Sequence, residues 1–135
     1  HGRDIFAPVT AYALKGVPLQ ELGSPCEKLI SLPWIEPVWE GNQLLGQIIS
    51  IDHFGNIVTN FTFEHVTNFK NIKMTMAQHS ITGLQNSYAS VPTGELLAII
   101  GSAGFLEISI NGASAKEKLN AKLHEHVVLS EMVIA

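Results

Sequence analysis

Cysteine and arginine are almost missing from this chain. The single cysteine, Cys26, excludes an internal disulfide, and Ser24-Pro25-Cys26-Glu27 offers no second thiol for a metal pair. A free thiol in a reducing compartment is the simple reading. The single arginine, Arg3, is one of eight basic residues set against twelve acidic ones, for a net charge of −4. A protein that reads a phosphate backbone carries a basic footprint. Here the lysines are scattered, so nucleic acid is excluded as a partner. No apolar run approaches the about 18 residues of a membrane span. Charged residues make up only 15% and hydrophobic ones 46%, the reverse of the balance that keeps a chain disordered. What is present is 135 residues with enough apolar material to bury one core. The expectation is a cytoplasmic protein with neither membrane nor nucleic-acid partner.

The chain opens at His1 without methionine and runs straight into structured-looking sequence, as a piece of a longer protein would. Asp4–Lys15 reads as a short helix, with Asp4 as N-cap, Pro8 in the first turn and Lys15-Gly16 as the stop. Val17–Glu40 carries four prolines and reads as an extended connector, with a strand candidate at Leu29–Leu32. Pro33 to Trp39 is expected to lay its two indoles on a surface. From Gly41 the pattern changes. Leu44–Asp52 and Asn56–Phe63 read as strands around a glycine-containing turn, and Phe63–Val66 as a helical turn. Asn71–Gln78 alternates Ile72, Met74 and Met76 with polar residues, the period of a half-buried strand, and His79–Gly83 is a candidate extension of it. Leu96–Ile100 and Phe105–Asn111 are further strands. Ser114-x-x-Glu117 fits a capping box opening a helix over Ser114–Leu123, and Glu125–Ile134 is the last strand. The fold class is mainly β: an antiparallel, barrel-like sheet preceded by a short helix and a connector.

Two glycine turns carry candidate chemistry. In Asp52-His53-Phe54-Gly55-Asn56, Asp52 is one of only two aspartates. The bland alternative is an Asx-turn bonding its own backbone. Asn56 stands where loop becomes sheet, and its side chain is expected to face the edge of the barrel rather than close its own turn. In Gly101-Ser102-Ala103-Gly104, small residues let a backbone approach a ligand closely; the alternative is a tight hairpin. The loop lacks the residues of a phosphate loop. Among six histidines only His124-x-His126 is close, with no third ligand near, so no metal is expected. There is no nucleophile elbow. Asn60-Phe61-Thr62 matches a glycosylation sequon in form only.

Three segments together resemble the S-adenosylmethionine (SAM) hydroxide adenosyltransferase family, which is related to the SAM-dependent fluorinases and chlorinases. They are His1-Gly2-Arg3-Asp4-Ile5-Phe6-Ala7-Pro8, the decapeptide Ile51 to Asn60, and Gly94-Glu95 through Gly101-Ser102-Ala103-Gly104-Phe105-Leu106-Glu107-Ile108 to Asn111-Gly112. The resemblance implies an α/β N-terminal domain, of which 1–24 is the end and linker, and a C-terminal β-barrel domain over 25–135. It implies hydrolysis of SAM to adenosine and methionine by water or hydroxide attack at C5′ of the ribose, with SAM as substrate and no cofactor. It also implies a homotrimer with sites between subunits. His1 matches the histidine that orients or activates the attacking water, and His1-Gly2 points to hydroxide rather than halide. Asp52 matches a contact to the methionine ammonium, Phe54 to adenosine, Asn56 to the adenine edge and Ser102 to methionine. Asn111 and Gly112 match the strand end that meets adenine. Ala103 stands where the halogenases carry a basic residue, which leaves the methionine carboxylate without that partner. The isolated chain is expected to be inactive. The competing reading is a non-catalytic module that binds an adenosine-like ligand or mediates trimer contacts.

Overall fold

The computed structural model describes residues 1–31 and 34–132. It divides into two compact units, His1–Trp34 and Ile35–Ala135. That division follows Trp34, whereas the domain division expected from the sequence follows Ser24.

In the first unit, Gly2–Phe6 winds as a wide π-type turn, in which the N–H groups of Ile5 and Phe6 both donate to the His1 carbonyl. It runs directly into α1, Ala7–Leu14, with Pro8 at its first turn. Asp4 is therefore inside the helical run and caps nothing; its carboxylate takes the Arg3 guanidinium at 2.7 Å in full solvent. The connector is not wholly extended. Leu19–Leu22 forms a single turn, α2, and residues 29–31 form no strand. Leu32 and Pro33 lie outside the described residues, as do the last residues of the strand expected over Glu125–Ile134.

The second unit is an antiparallel sheet of eight strands: β1 Val38–Glu40, β2 Gln43–Ile51, β3 Ile57–Thr62, β4 Ile72–Met76, β5 His79–Thr82, β6 Leu96–Ile100, β7 Phe105–Ile110 and β8 His126–Glu131. The one-turn helices α3, Phe63–Val66, and α4, Ala115–Leu119, follow β3 and β7. The order is β5-β4-β8-β2-β3-β7-β6, with β1 beside β2. The two end strands approach each other, and just past β5 the Gln85 N–H donates to the Ala98 carbonyl of β6 at 2.8 Å. The sheet thus nearly closes into a barrel. Ile48, Ile57, Phe61, Met74, Leu106, Ile108, Val127 and Leu129 fill it and are almost completely buried. Alternation accounts for this: in β4 the residues Ile72, Met74 and Met76 point inward while Lys73 and Thr75 point out.

Two expectations are corrected here. His79–Thr82 does not extend β4 but returns antiparallel to it, with Met76 paired to His79. Ala77, at a φ of 50°, makes that sharp reversal without a glycine. The helix expected to reach Leu123 ends at Leu119, because Asn120 turns left-handed with a φ of 49°. The two indoles are half exposed; Trp39 stacks on Phe69 with ring centres 5.6 Å apart.

Candidate functional site

A cavity of about 760 Å³ opens on the β3–β7–β6 side of the barrel. Its wall draws on three stretches of sequence: Asp52, Phe54 and Asn56 from the turn after β2; Ile99 to Ser102, Glu107 and Ile110 from the β6–β7 hairpin; and Gly112 to Ser114 before α4. Tyr88 completes the wall from a 3-10 turn at Tyr88–Ser90.

The turn after β2 is held by its own aspartate. Asp52 Oδ1 accepts the N–H groups of Phe54 and Asn56, and Oδ2 accepts Asn56 Nδ2, each at 2.9 Å. This is the Asx-turn geometry, in which a short carboxylate stands in for backbone. Asn56 therefore does close its own turn, contrary to the expectation that it would not. It still lines the cavity, so it serves both. Burial works against the charge on Asp52. The hydrogen bonds from Asn56, Phe54 and Gly55 outweigh it and hold the carboxyl below its ordinary range. Phe54 stands out of the turn, 67% exposed, at the cavity rim. Gly55 has a φ of 86°, and a Cβ there would strike the Ser114 side chain. The turn thus packs tightly on the start of α4, whose Lys116 N–H donates to the Gly55 carbonyl at 2.9 Å. Ser114 caps α4 by accepting the Glu117 N–H at 3.2 Å.

Gly101 to Gly104 forms the hairpin tip, closed by the Gly101 N–H on the Phe105 carbonyl at 2.8 Å. It is a tight hairpin, and its Gly101 and Ser102 also line the cavity. A Cβ on Gly101 would collide with the carboxylate of Glu107. That carboxylate accepts the Tyr88 hydroxyl at 3.3 Å. Burial, with the field of Asp52 added, raises the Glu107 carboxyl above its ordinary range against the Tyr88 hydrogen bond. Burial and Glu107 raise the Tyr88 hydroxyl in turn.

The other expected residues fall elsewhere. Asn111 does not line the cavity: its Nδ2 donates to the Val91 carbonyl at 2.8 Å, and its backbone pairs with Gly94 and Glu95. Gly112 beside it does line it. His1 is exposed at the start of the first unit. Tyr88 and Glu107 line the cavity without being expected from the sequence. Tyr88 sits in a stretch without periodicity. Glu107, a lone charge within an apolar strand, was the available signal. Among the described residues no group of three His, Cys, Asp or Glu is placed to hold a metal, and no helix is long and apolar enough to cross a membrane. Asn60 of the sequon is 1% exposed, and both ends of its carboxamide are hydrogen-bonded.

Comparison with known proteins places the chain among relatives. Residues 46–128 match the family model described as the SAM hydroxide adenosyltransferase C-terminal domain. A protein of Thermus thermophilus named (R)-S-adenosyl-L-methionine hydrolase is 35% identical over 124 residues, covering 90% of this chain and 45% of the relative. One of the same name from Salinispora arenicola is 32% identical, covering 88% of this chain and 46% of its own. The chain thus spans about half the length of these curated relatives. The crystal structure of a conserved protein from Thermotoga maritima superposes with a TM-score of 0.72 at 32% identity, over 96% of this chain and 52% of that one.

Proposed function

Since the chain belongs to the SAM hydroxide adenosyltransferase family, we propose that its cavity is the nucleoside- and methionine-facing wall of a site that hydrolyses SAM to adenosine and methionine. One observation carries this. The turn at Asp52–Asn56, the hairpin tip at Ser102 and the strand end at Gly112 are far apart in sequence, and they converge on a single cavity.

Each wall residue has a chemical task. The Asp52 carboxylate, held ionised by its turn, takes the methionine ammonium. Phe54 offers an exposed ring to the adenosine. Asn56 reads the adenine edge with the carboxamide functions its turn leaves over, because one amide offers both a donor and an acceptor. Ser102 contacts methionine. Gly112 presents the strand end, which Asn111 anchors through Val91. Among the described residues no basic side chain lines the cavity, so the methionine carboxylate finds its partner outside this wall.

In the reaction, a water oxygen forms a bond to C5′ while the C5′–S bond breaks. The bonding pair leaves on sulfur as a neutral thioether, and the water loses a proton. His1 orients that water or accepts its proton. Most of the acceleration comes from holding water and C5′ in line. The rest of the site belongs to the half of the longer relatives that this chain does not span, and the working assembly is a homotrimer. The chain alone is therefore expected not to turn over SAM.

The test is adenosine release from SAM by the full-length protein, comparing wild type with Asp52→Asn. Wild type should release adenosine and methionine in equal amounts. The variant should lose more affinity for SAM than for adenosine, since its amide can no longer accept from both Asn56 Nδ2 and the turn N–H groups. A wild-type protein that binds adenosine and releases none from SAM would support the non-catalytic module instead.

A further inference from the structure

The cavity's electrostatics go beyond the roles given above. Among the described residues its wall contains two carboxylates, Asp52 and Glu107, and no lysine, arginine or histidine. Asp52 already accepts three hydrogen bonds at 2.9 Å that fix it in its turn. Glu107 accepts a single long one, 3.3 Å, from Tyr88. The hairpin tip makes room for it, because only a residue without a side chain at position 101 leaves space for the Glu107 carboxylate. The rest of the wall is largely aliphatic or aromatic: Phe54, Ile99, Ile100, Ile110 and Ala113. A carboxylate beside such a surface is poorly solvated, and its attraction for a cation is less screened than in open water. The anionic pair is uncompensated by the wall itself, and the substrate of the proposed reaction carries two positive groups, an ammonium and a sulfonium.

We propose that Glu107 is a specificity-determining residue of this site: with Asp52 it makes the cavity select the sulfonium substrate over uncharged nucleosides of the same shape. This rests on the SAM reading above. The role is chemically useful because the sulfonium charge vanishes when the C5′–S bond breaks. Substrate then gains from Glu107 what the products, adenosine and a thioether, do not. Tyr88 orients the carboxylate from the side. Glu107 recognises charge and takes no proton.

The test is a titration of the full-length protein and its Glu107→Gln variant with three ligands: SAM, its demethylated thioether S-adenosylhomocysteine, and adenosine. The thioether keeps the ammonium and carboxylate and lacks only the sulfonium charge. Glutamine keeps the size of glutamate and can still accept from Tyr88. The preference for SAM over the thioether should fall about tenfold in the variant, the effect of one partly screened charge pair. Adenosine affinity should change less than twofold. In the wild type alone, raising salt should shrink the same preference, which keeps the proposal testable if the variant does not fold. Equal weakening of all three ligands would make Glu107 a structural prop for Tyr88 and overturn the proposal, as would an unchanged preference. A wild type that binds none of the three would overturn the SAM reading itself, an outcome distinct from both.

Discussion

Replacing Asn60 by alanine tests how the barrel is built independently of what it binds. Asn60 is 1% exposed. Its Oδ1 accepts the Gln47 N–H at 2.8 Å, and its Nδ2 donates to the Ile35 carbonyl at 2.8 Å. The β2–β3 ladder pairs Ile48 with Thr59 and stops there, so the side chain of Asn60 supplies the acceptor that Gln47 would otherwise lack. Alanine removes both partners. An unsatisfied buried backbone group costs about 1–3 kcal/mol. Gln47 is half-buried and Ile35 is exposed, so water replaces the lost partner more readily at the Ile35 carbonyl than at the Gln47 N–H. Adding the packing lost with the carboxamide, the expected loss is about 3–4 kcal/mol. For a protein of this size that lowers Tm by roughly 10–15 °C. Urea melts followed by circular dichroism give the free energy directly. Adenosine affinity of the folded variant should be unchanged, because Asn60 does not line the cavity. A loss below about 1 kcal/mol would refute the reasoning, since it would mean that water satisfies both backbone groups. A selective loss of adenosine affinity would place Asn60 in the site.

Three further outcomes are expected. Glu107→Gln should melt higher than wild type at pH 7, with the difference closing below about pH 4: a carboxyl whose folded pKa is raised contributes stability below its unfolded pKa and loses it as pH rises through the folded value. Thermal melts across pH check this, and a constant difference would refute it. Gly101→Ala should reproduce the loss of SAM preference seen in Glu107→Gln, because the added methyl displaces the carboxylate rather than straining the backbone; ligand titration reads it, and retained preference would show that the carboxylate has somewhere else to go. Ser114→Ala should cost about 0.5–2 kcal/mol through the lost cap of α4, measured by urea melts, and a neutral result would mean the 3.2 Å bond is idle.

Strands β2, β3, β4, β6 and β7 were legible because each alternates or runs apolar between turn residues. Others escaped for identifiable reasons. β1 hides behind Pro37, and its three residues are all exposed, so no periodicity marks it. β5 reads as an extension of β4 because Ala77-Gln78 carries none of the usual turn chemistry. Asp4 looked like a cap, but the chain ahead of it was already winding. Of the residues expected at the site, Asp52, Phe54, Asn56, Ser102 and Gly112 line one cavity, but their partners are not legible in the sequence. That Asp52 and Asn56 bind each other, and that Glu107 leans on Gly101, are facts of three-dimensional register that no spacing announces. Tyr88 reaches Glu107 across a loop of ordinary polar residues.

The decapeptide from Ile51 to Asn60 shows why a motif should not be read as a list of ligand contacts. Its first half, Asp52 to Asn56, borders the cavity. Its second half turns inward: Thr59 is fully buried and donates its hydroxyl to the Leu106 carbonyl at 2.8 Å, while Asn60 clips β2 to the segment before β1. The Thr59 bond fastens β3 to β7 at the residue just before Glu107. The same ten residues therefore place one carboxylate of the cavity directly and brace the strand that carries the other. A substitution at Thr59 can then alter ligand preference without any contact to ligand, by letting β7 shift. Thr59→Val, which keeps the shape and loses the hydroxyl, separates the two roles. It should lower Tm by several degrees, since it loses the bond to Leu106 and the longer one, 3.4 Å, from the Phe61 N–H, and a buried hydrogen bond is worth about 1 kcal/mol. It should also reduce the preference for SAM over its thioether by less than Glu107→Gln does. An undiminished preference in a destabilised Thr59→Val variant would show that β7 is held in place by its other strand pairings alone.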